Sequence, residues 1–342
     1  MQKNLLVTLA DESYIDQAKQ LFSSVYWNAG WKGDYMLLAH EIPEEKLRWF
    51  KNKGILIRRC ESLYDKEIAG WPIVVWSKFY LFTPEFKKWK NIIFLDVDII
   101  VRASLDELTK IKGFAARYGS KLNHQFMKPK PMSQNGKSKK RNMKSSSELK
   151  KNYNLKVYGI NSGVMTFDTD IIKEDTFSQL QKLFELYGDI CRLADQSILS
   201  LFFYKKFIPL LQVYNCNVDH MISVCSVKPE KIKGIVLHFN NPNKPWSLKN
   251  PFYNEYKNNL DKAESINLKE IPAPRKIWTN EDIKKYCLYL RIRHTLNLHK
   301  YIMWQYPISI SIDRIIGLFG IFLKNNFPKL YFILKKLKNG QS

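Results

Sequence analysis

In Phe94-Leu95-Asp96-Val97-Asp98-Ile99-Ile100 two carboxylates stand two residues apart inside an otherwise apolar run. Read as one extended strand, that spacing turns both acids to the same side. Holding two carboxylates so close is costly unless a cation lies between them. Hard oxygen ligands suit Mg²⁺ or Mn²⁺, and the carboxyl ends of strands are where open α/β sheets bind nucleotides. The same tripeptide also fits a plainer arrangement, one aspartate solvated at a strand end and the other capping a turn. A second group, Val236-Leu237-His238-Phe239-Asn240-Asn241-Pro242-Asn243-Lys244-Pro245-Trp246, offers an imidazole that can complete a carboxylate-bound metal shell. Six residues on, its lysine can neutralise a diphosphate. Taken alone, His238 reads better as a hydrogen-bonded histidine closing a buried strand.

The elements that must position these groups alternate strand and helix. Apolar runs at Asn4–Leu9, Tyr35–Ala39, Ile55–Ile57 and Asn91–Leu95 read as mostly parallel strands covered on both faces. A helix from Asp16 would align Ala18, Leu21, Phe22 and Val25, and a second short helix fits Glu44–Lys51. Ser104-Leu105-Asp106-Glu107 has capping-box spacing and predicts a further helix start. A strand is expected over Tyr158–Phe167, a helix to about Tyr187, and strands at Ile208–Val213 and Ile235–Phe239. Residues 117–156 are polar, basic and poor in apolar side chains, and are expected to form a mobile excursion. Ile271-Pro272-Ala273-Pro274 reads as a linker. The expected organisation is an α/β catalytic domain over residues 1–270 and a basic, amphipathic helical region over 275–342.

Together the motifs resemble those of glycosyltransferase family 8, the retaining group of GT-A fold that includes bacterial lipopolysaccharide galactosyl- and glucosyltransferases and glycogenin. The resemblance covers roughly residues 4 to 250, and six motifs occur in the family's order. It implies a metal-dependent hexosyltransferase that takes galactose or glucose from a UDP-sugar. Leu9-Ala10-Asp11-Glu12-Ser13-Tyr14 resembles the opening nucleotide-binding segment, with Asp11 contacting uracil and Tyr14 stacking on it. Lys78 falls where the family carries a basic residue, most often Arg. Asp96-Val97-Asp98 resembles the D-x-D motif, and Asp96, Asp98 and His238 are the implied Mn²⁺ (or Mg²⁺) ligands. Asn161-Ser162-Gly163-Val164 resembles the strand whose Asn reaches the donor sugar, and Asp195-Gln196 the pair beside the anomeric carbon. His238 with Lys244-Pro245-Trp246 resembles the H-x₅-K-P-W ending. Ala10, Val97, Asn241 and Lys244 complete the implied donor contacts. Two departures stand out: Asn241 where many members have Gly, and an excursion at 117–156 that is longer and more basic than the family's.

The chain carries a net charge of +23, unevenly spread. Residues 117–156 hold 12 Lys and Arg against one acid, and residues 275–342 hold 13 against three; the rest is close to neutral. Ile312, Ile315, Ile316, Phe319 and Phe322 share one helical face, and Leu330, Ile333, Leu334 and Leu337 another. Basic helices with such faces lie in membrane interfaces, so contact with an anionic membrane surface is expected, with a lipid-linked or lipopolysaccharide-type glycan as acceptor. The opening apolar run is too short for a signal peptide, and no run approaches the roughly 20 residues of a membrane span. Five scattered cysteines without a C-x-x-C pair fit a reducing compartment. The expected location is therefore cytoplasmic and peripheral on the inner face of a membrane. A nucleic-acid-binding protein would gather its charge on a defined reading element, which is not seen, so no nucleic acid is expected as partner. A nucleotidyltransferase shares a similar sheet and metal but not the later motifs.

Overall fold

Strands buried along their whole length need cover on both faces of their sheet, and β1 (Leu5–Ala10) and β4 (Asn91–Leu95) are such strands. In the computed structural model, which describes residues 3–65, 67, 70–126, 136–305 and 326, the two are parallel neighbours, Leu5 opposite Ile92 and Val7 opposite Phe94. β2 (Asp34–His40) and β3 (Leu56–Cys60) continue the parallel set on one side. After β4 the chain enters β5 (Ile99–Val101), which belongs to a different sheet. β6 (Phe114–Lys121) and β7 (Tyr158–Asp168) add an antiparallel pair beside β4, and β8 (Ile208–Pro209) closes the edge parallel to β6. The seven-stranded order is β3-β2-β1-β4-β7-β6-β8. The expected α/β class with a mostly parallel central sheet holds. A second sheet of three strands places β10 (Val236–His238) between β5 and β9 (Cys216–Asn217).

Helix α1 (Ile15–Ser24) buries Ala18, Leu21 and Phe22, the face expected from their spacing. α2 (Glu44–Asn52) buries Leu47 and Phe50. On the opposite face, Leu5, Val7 and Leu9 of β1 share one core cluster with Trp76, Phe79 and Phe82. That core also receives α3 (Leu122–Gln125) and α4 (Gly136–Asn152) through Leu122 and Leu149, and α5 (Thr176–Tyr187) and α6 (Ala194–Phe202) through Leu180 and Ile198. α7 (Val218–Ser223), α8 (Tyr253–Asp261) and α9 (Asn280–Gln305) follow. α9 opens on a reciprocal cap: Asp282 N–H donates to Thr279 Oγ1 at 3.1 Å, and Thr279 N–H to Asp282 Oδ2 at 3.1 Å.

The described chain divides into a large unit, through Ser223 and from Val227 to Leu288, and a small one of Val224–Ser226 with the chain from Tyr289 onward. Within the small unit, Arg293 Nε donates to Cys225 O at 3.3 Å and Asn297 Nδ2 to Val224 O at 2.9 Å. The amphipathic faces expected at 312–322 and 330–337 lie outside the described residues. Among those described, no helix is long and apolar enough to cross a membrane.

Four local expectations change. Asp96 and Asp98 do not lie within one strand: β4 ends at Leu95, and residues 96–98 form the turn into β5. Asp106–Lys110 is a short 3₁₀ turn, with Ser104 Oγ accepting from Asp106 N–H at 3.2 Å instead of from Glu107. Only Ile208–Pro209 of the expected 208–213 strand pairs as a strand; Gln212–Tyr214 is a 3₁₀ turn. The 117–156 segment begins inside β6 and includes α3 and α4, so much of it is regular structure. Leu122, Gln125, Phe126 and Leu149 are all buried, an anchoring that a count of its lysines conceals.

Candidate functional site

The turn at residues 96–98 is tied on three sides. The carbonyl of Leu95, the last residue of β4, accepts from Thr8 Oγ1 at 2.7 Å. Asp96 N–H donates to Gly163 O at 2.9 Å, and Phe239 N–H donates to Asp98 O at 3.0 Å. β1, β7 and the end of β10 thus fix the backbone that carries both acids. His238, the last residue of β10, stands opposite Ile99 of β5. Donor atoms of Asp96, Asp98 and His238 consequently lie within 4.8 Å of one another.

Two lysines compensate the acids. Lys78, 6% exposed, places Nζ 2.9 Å from Asp96 Oδ1 and 3.2 Å from Asp195 Oδ2. Burial works against its charge, but the two carboxylates outweigh burial and push the ammonium pKa up. Lys244 Nζ lies 2.6 Å from Asp98 Oδ2 and donates to Phe239 O at 2.7 Å. Burial raises the Asp98 carboxyl, yet His238 and Lys244 together hold it below the ordinary carboxylate range. For Asp195 burial wins over Lys78, and its carboxyl is raised. Asp195 and Gln196 sit in the first turn of α6, entered through Ala194 at φ +46°, a left-handed conformation that costs a non-glycine residue about 1 kcal/mol. Asp195 Oδ2 also accepts from Ser162 Oγ at 2.8 Å.

A polar chain runs from Gln196 to the histidine. Asn161 Nδ2 donates to Gln196 Oε1 at 3.1 Å, Asn215 Nδ2 to Asn161 Oδ1 at 2.7 Å, and Asn215 Oδ1 meets His238 Nδ1 at 2.9 Å. Gly163 lets the ring lie against β7, since a Cβ there would stand 2.1 Å from His238 Cε1. At the other end of the site, Asp11 Oδ1 accepts from Ser13 N–H at 2.9 Å, capping the turn 12–14. Tyr14 is 39% exposed and meets Trp246 edge-on, ring centroids 6.1 Å apart. Ala10 ends β1, Val97 occupies the turn between the two acids, and Asn241 is exposed beyond β10.

The donor set fits a hard divalent cation: two carboxylates and one imidazole nitrogen. Asp98 Oδ1 supports the fit, being buried without a hydrogen-bond partner and only 3.3 Å from His238 Nε2. The structure therefore brings Asp96, Asp98, His238, Lys78, Lys244, Asn161, Asp195 and Gln196 together, and joins the Tyr14 segment to Trp246. Lys78 and Lys244 stand on carboxylates here. Sequence reasoning passed over Asn215 and Thr8. Neither carries a signal in its spacing; each is found only through the partner it contacts.

A family model for glycosyl transferase family 8 matches residues 5–250. The glycosyltransferase GlyF of Streptococcus pneumoniae (serotype 4, strain TIGR4) is 24% identical over 264 residues, covering 72% of this chain and 58% of GlyF. Among solved structures, the galactosyltransferase LgtC, in complex with donor and acceptor sugar analogues, is similar with a TM-score of 0.54 at 18% identity. That match covers 78% of this chain and 97% of LgtC. Apo GlyE from S. pneumoniae TIGR4 gives 0.53 at 18% identity, covering 78% of this chain and 62% of GlyE. The chain thus spans less than two thirds of GlyF and of GlyE, and the two structural likenesses are likenesses of fold.

Proposed function

Since the chain belongs to glycosyl transferase family 8 and carries the GT-A fold, we propose that it moves a hexose, galactose or glucose, from a UDP-sugar to a hydroxyl of a glycan acceptor. The observation that carries this reading is the convergence of Asp96, Asp98 and His238, from segments some 140 residues apart, onto one point. In the proposed site these three hold Mn²⁺ or Mg²⁺, which when bound supplies charge compensation for a departing diphosphate.

The remaining work falls to the chain's own groups. Lys244, with Nζ 2.6 Å from Asp98 Oδ2 at the D-x-D turn, would add positive charge where the leaving group develops its own. Tyr14, exposed beside Trp246, offers an aromatic face to uracil, with Asp11, Ala10 and Val97 lining the nucleotide and Asn241 near the diphosphate. Asn161 and Asp195 bind sugar hydroxyls, and Gln196 lies beside the anomeric carbon. Gln196 is uncharged and a poor nucleophile, and Asp195 is engaged by Lys78 and Ser162. Front-face attack is the proposed route, with the retention that the family resemblance implies. The bond from the anomeric carbon to the β-phosphate oxygen breaks, the acceptor oxygen forms the new bond, and its proton passes to the departing phosphate oxygen. Trapping a sugar covalently on Asp195 would overturn this route.

The test is UDP release from a panel of UDP-sugars with Mn²⁺ and with EDTA, slow hydrolysis serving where no acceptor is known. Metal-dependent turnover of one donor is expected. Silence across the panel together with no UDP binding by calorimetry would refute the reading. For the basic tail, the proposal is peripheral binding to an anionic membrane surface and a lipid-linked acceptor. It is supported by the 13 basic residues against three acids over 275–342, at roughly 1 kcal/mol per cation near the surface. The full chain should pellet with anionic liposomes at low salt; failure to pellet would remove it.

A further inference from the structure

We propose that Asn215 is a positioning residue that holds His238 in the tautomer able to ligate a metal through Nε2. The argument is one of hydrogen-bond polarity. Amide oxygen and nitrogen look alike in outline, but two backbone N–H groups, which can only donate, fix the direction here. Ser162 N–H donates to Gln196 Oε1 at 3.4 Å, and Gly163 N–H donates to Asn161 Oδ1 at 3.3 Å. With those oxygens assigned, Asn161 Nδ2 must donate to Gln196, and Asn215 Nδ2 must donate to Asn161. Asn215 then turns Oδ1 to His238, so Nδ1 of the ring must carry the proton. In the neutral imidazole that leaves Nε2 as a bare lone pair.

The lone pair faces Asp98 Oδ1 at 3.3 Å, an oxygen that accepts no hydrogen bond. With the ring neutral, two acceptors face each other in a buried place, an arrangement that a cation between them resolves: a second proton on the ring, in which state His238 lowers the Asp98 carboxyl, or a metal ion. Asn215 is itself held firmly: it is 1% exposed, and its carbonyl accepts from Arg117 on β6 at 3.0 Å. Polarity set at the α6 end of the site is thereby transmitted through three amides to the histidine.

This inference rests on the proposed metal centre, and its test separates the two. Two-bond ¹H–¹⁵N spectra of the metal-free chain at mildly alkaline pH, with His238 assigned by its loss in His238→Gln, read the tautomer directly. The wild-type chain should show Nδ1–H; an Nε2–H ring overturns the proposal. Mn²⁺ binding, followed by electron paramagnetic resonance with UDP present, is then compared among variants. Asn215→Leu should weaken it about 10- to 100-fold, the usual loss when a partner behind a ligand is removed. Asn215→Asp gives up its donation to Asn161 but keeps an acceptor for Nδ1–H, and should recover most of the binding that Asn215→Leu loses, which a purely packing role would not produce. Wild-type binding that Asn215→Leu leaves unchanged overturns the relay alone. A wild-type chain that binds no Mn²⁺ overturns the metal centre and the relay's purpose with it.

Discussion

Gly163→Ala isolates the packing of His238 against β7. Gly163 has no need of a left-handed backbone, so the substitution acts through its new methyl alone. That carbon would stand 2.1 Å from His238 Cε1, 2.8 Å from Nε2 and 2.9 Å from Nδ1. Ordinary carbon contacts lie at roughly 3.5–4.0 Å, so the ring or the strand must move by more than about 1 Å. Neither is free to do so. Gly163 O accepts from Asp96 N–H, and the ring is tethered through Nδ1 to Asn215. Overpacking of this kind costs about 1–3 kcal/mol, a fall of a few degrees in Tm for a unit of this size. A misplacement of about 1 Å at a reacting site costs on the order of 10²-fold in turnover. The assay is UDP release together with thermal melting, repeated in a His238→Ala background. With the ring gone the methyl has room, and most of the stability cost should vanish. An equal cost in both backgrounds, or full activity of Gly163→Ala, would refute the reasoning.

Three further expectations follow from the charges and thiols. Lys78→Met leaves Asp96 and Asp195 facing each other without their shared cation, and should destabilise the fold by about 3–5 kcal/mol. An unchanged urea midpoint would contradict it. Asp98 is held below its ordinary value of 3.8 on folding. A carboxyl depressed in this way stabilises the fold above the unfolded value, and that contribution is lost as pH falls below it. The metal-free chain should therefore weaken on acidification below about pH 4, and Asp98→Asn should flatten that part of the curve. An identical slope in the two proteins would count against the ion pairs. Burial pushes the Cys60 thiol up to about 12 and raises that of Cys191 as well. Neither should react with Ellman's reagent in the native chain, and peptide mapping that finds rapid labelling of either would show the burial to be wrong.

The fold was legible where burial alone sets the pattern. Asn91–Leu95 reads as a covered strand because four of its five side chains are apolar and the fifth, Asn91, donates Nδ2–H to Asn4 Oδ1, and its observed limits coincide with the run. The next six residues mislead for the same reason. Leu95 to Val101 is apolar apart from its two aspartates, so it reads as a single strand. In fact β4 and β5 belong to different sheets, and the aspartates occupy the crossing between them. Hydropathy does not register a change of sheet. In β6, Arg117, Tyr118 and Lys121 give the polar look of a loop, while pairing with Asn161, Ile160 and Tyr158 of β7 keeps the chain extended. That pairing is non-local, and spacing along one segment carries no trace of it.

The site was legible as a set of residue types in order, but its charge balance was not. Among the described residues, Asp96, Asp98 and Asp195 meet two ammonium groups, Lys78 and Lys244. Counted as ionised, the cluster holds one unit of negative charge beside a lone pair of His238. A divalent cation added to it would leave one unit of positive charge, facing the place where a diphosphate is proposed to sit. The same count explains why Lys244 rests on Asp98 in the structure, close enough to serve a phosphate once another cation takes over the carboxylate. In the proposed site Asp96, Asp98 and His238 would hold the cation, and Lys244, which now rests on Asp98, would be released to turn toward a diphosphate on the same side of the turn.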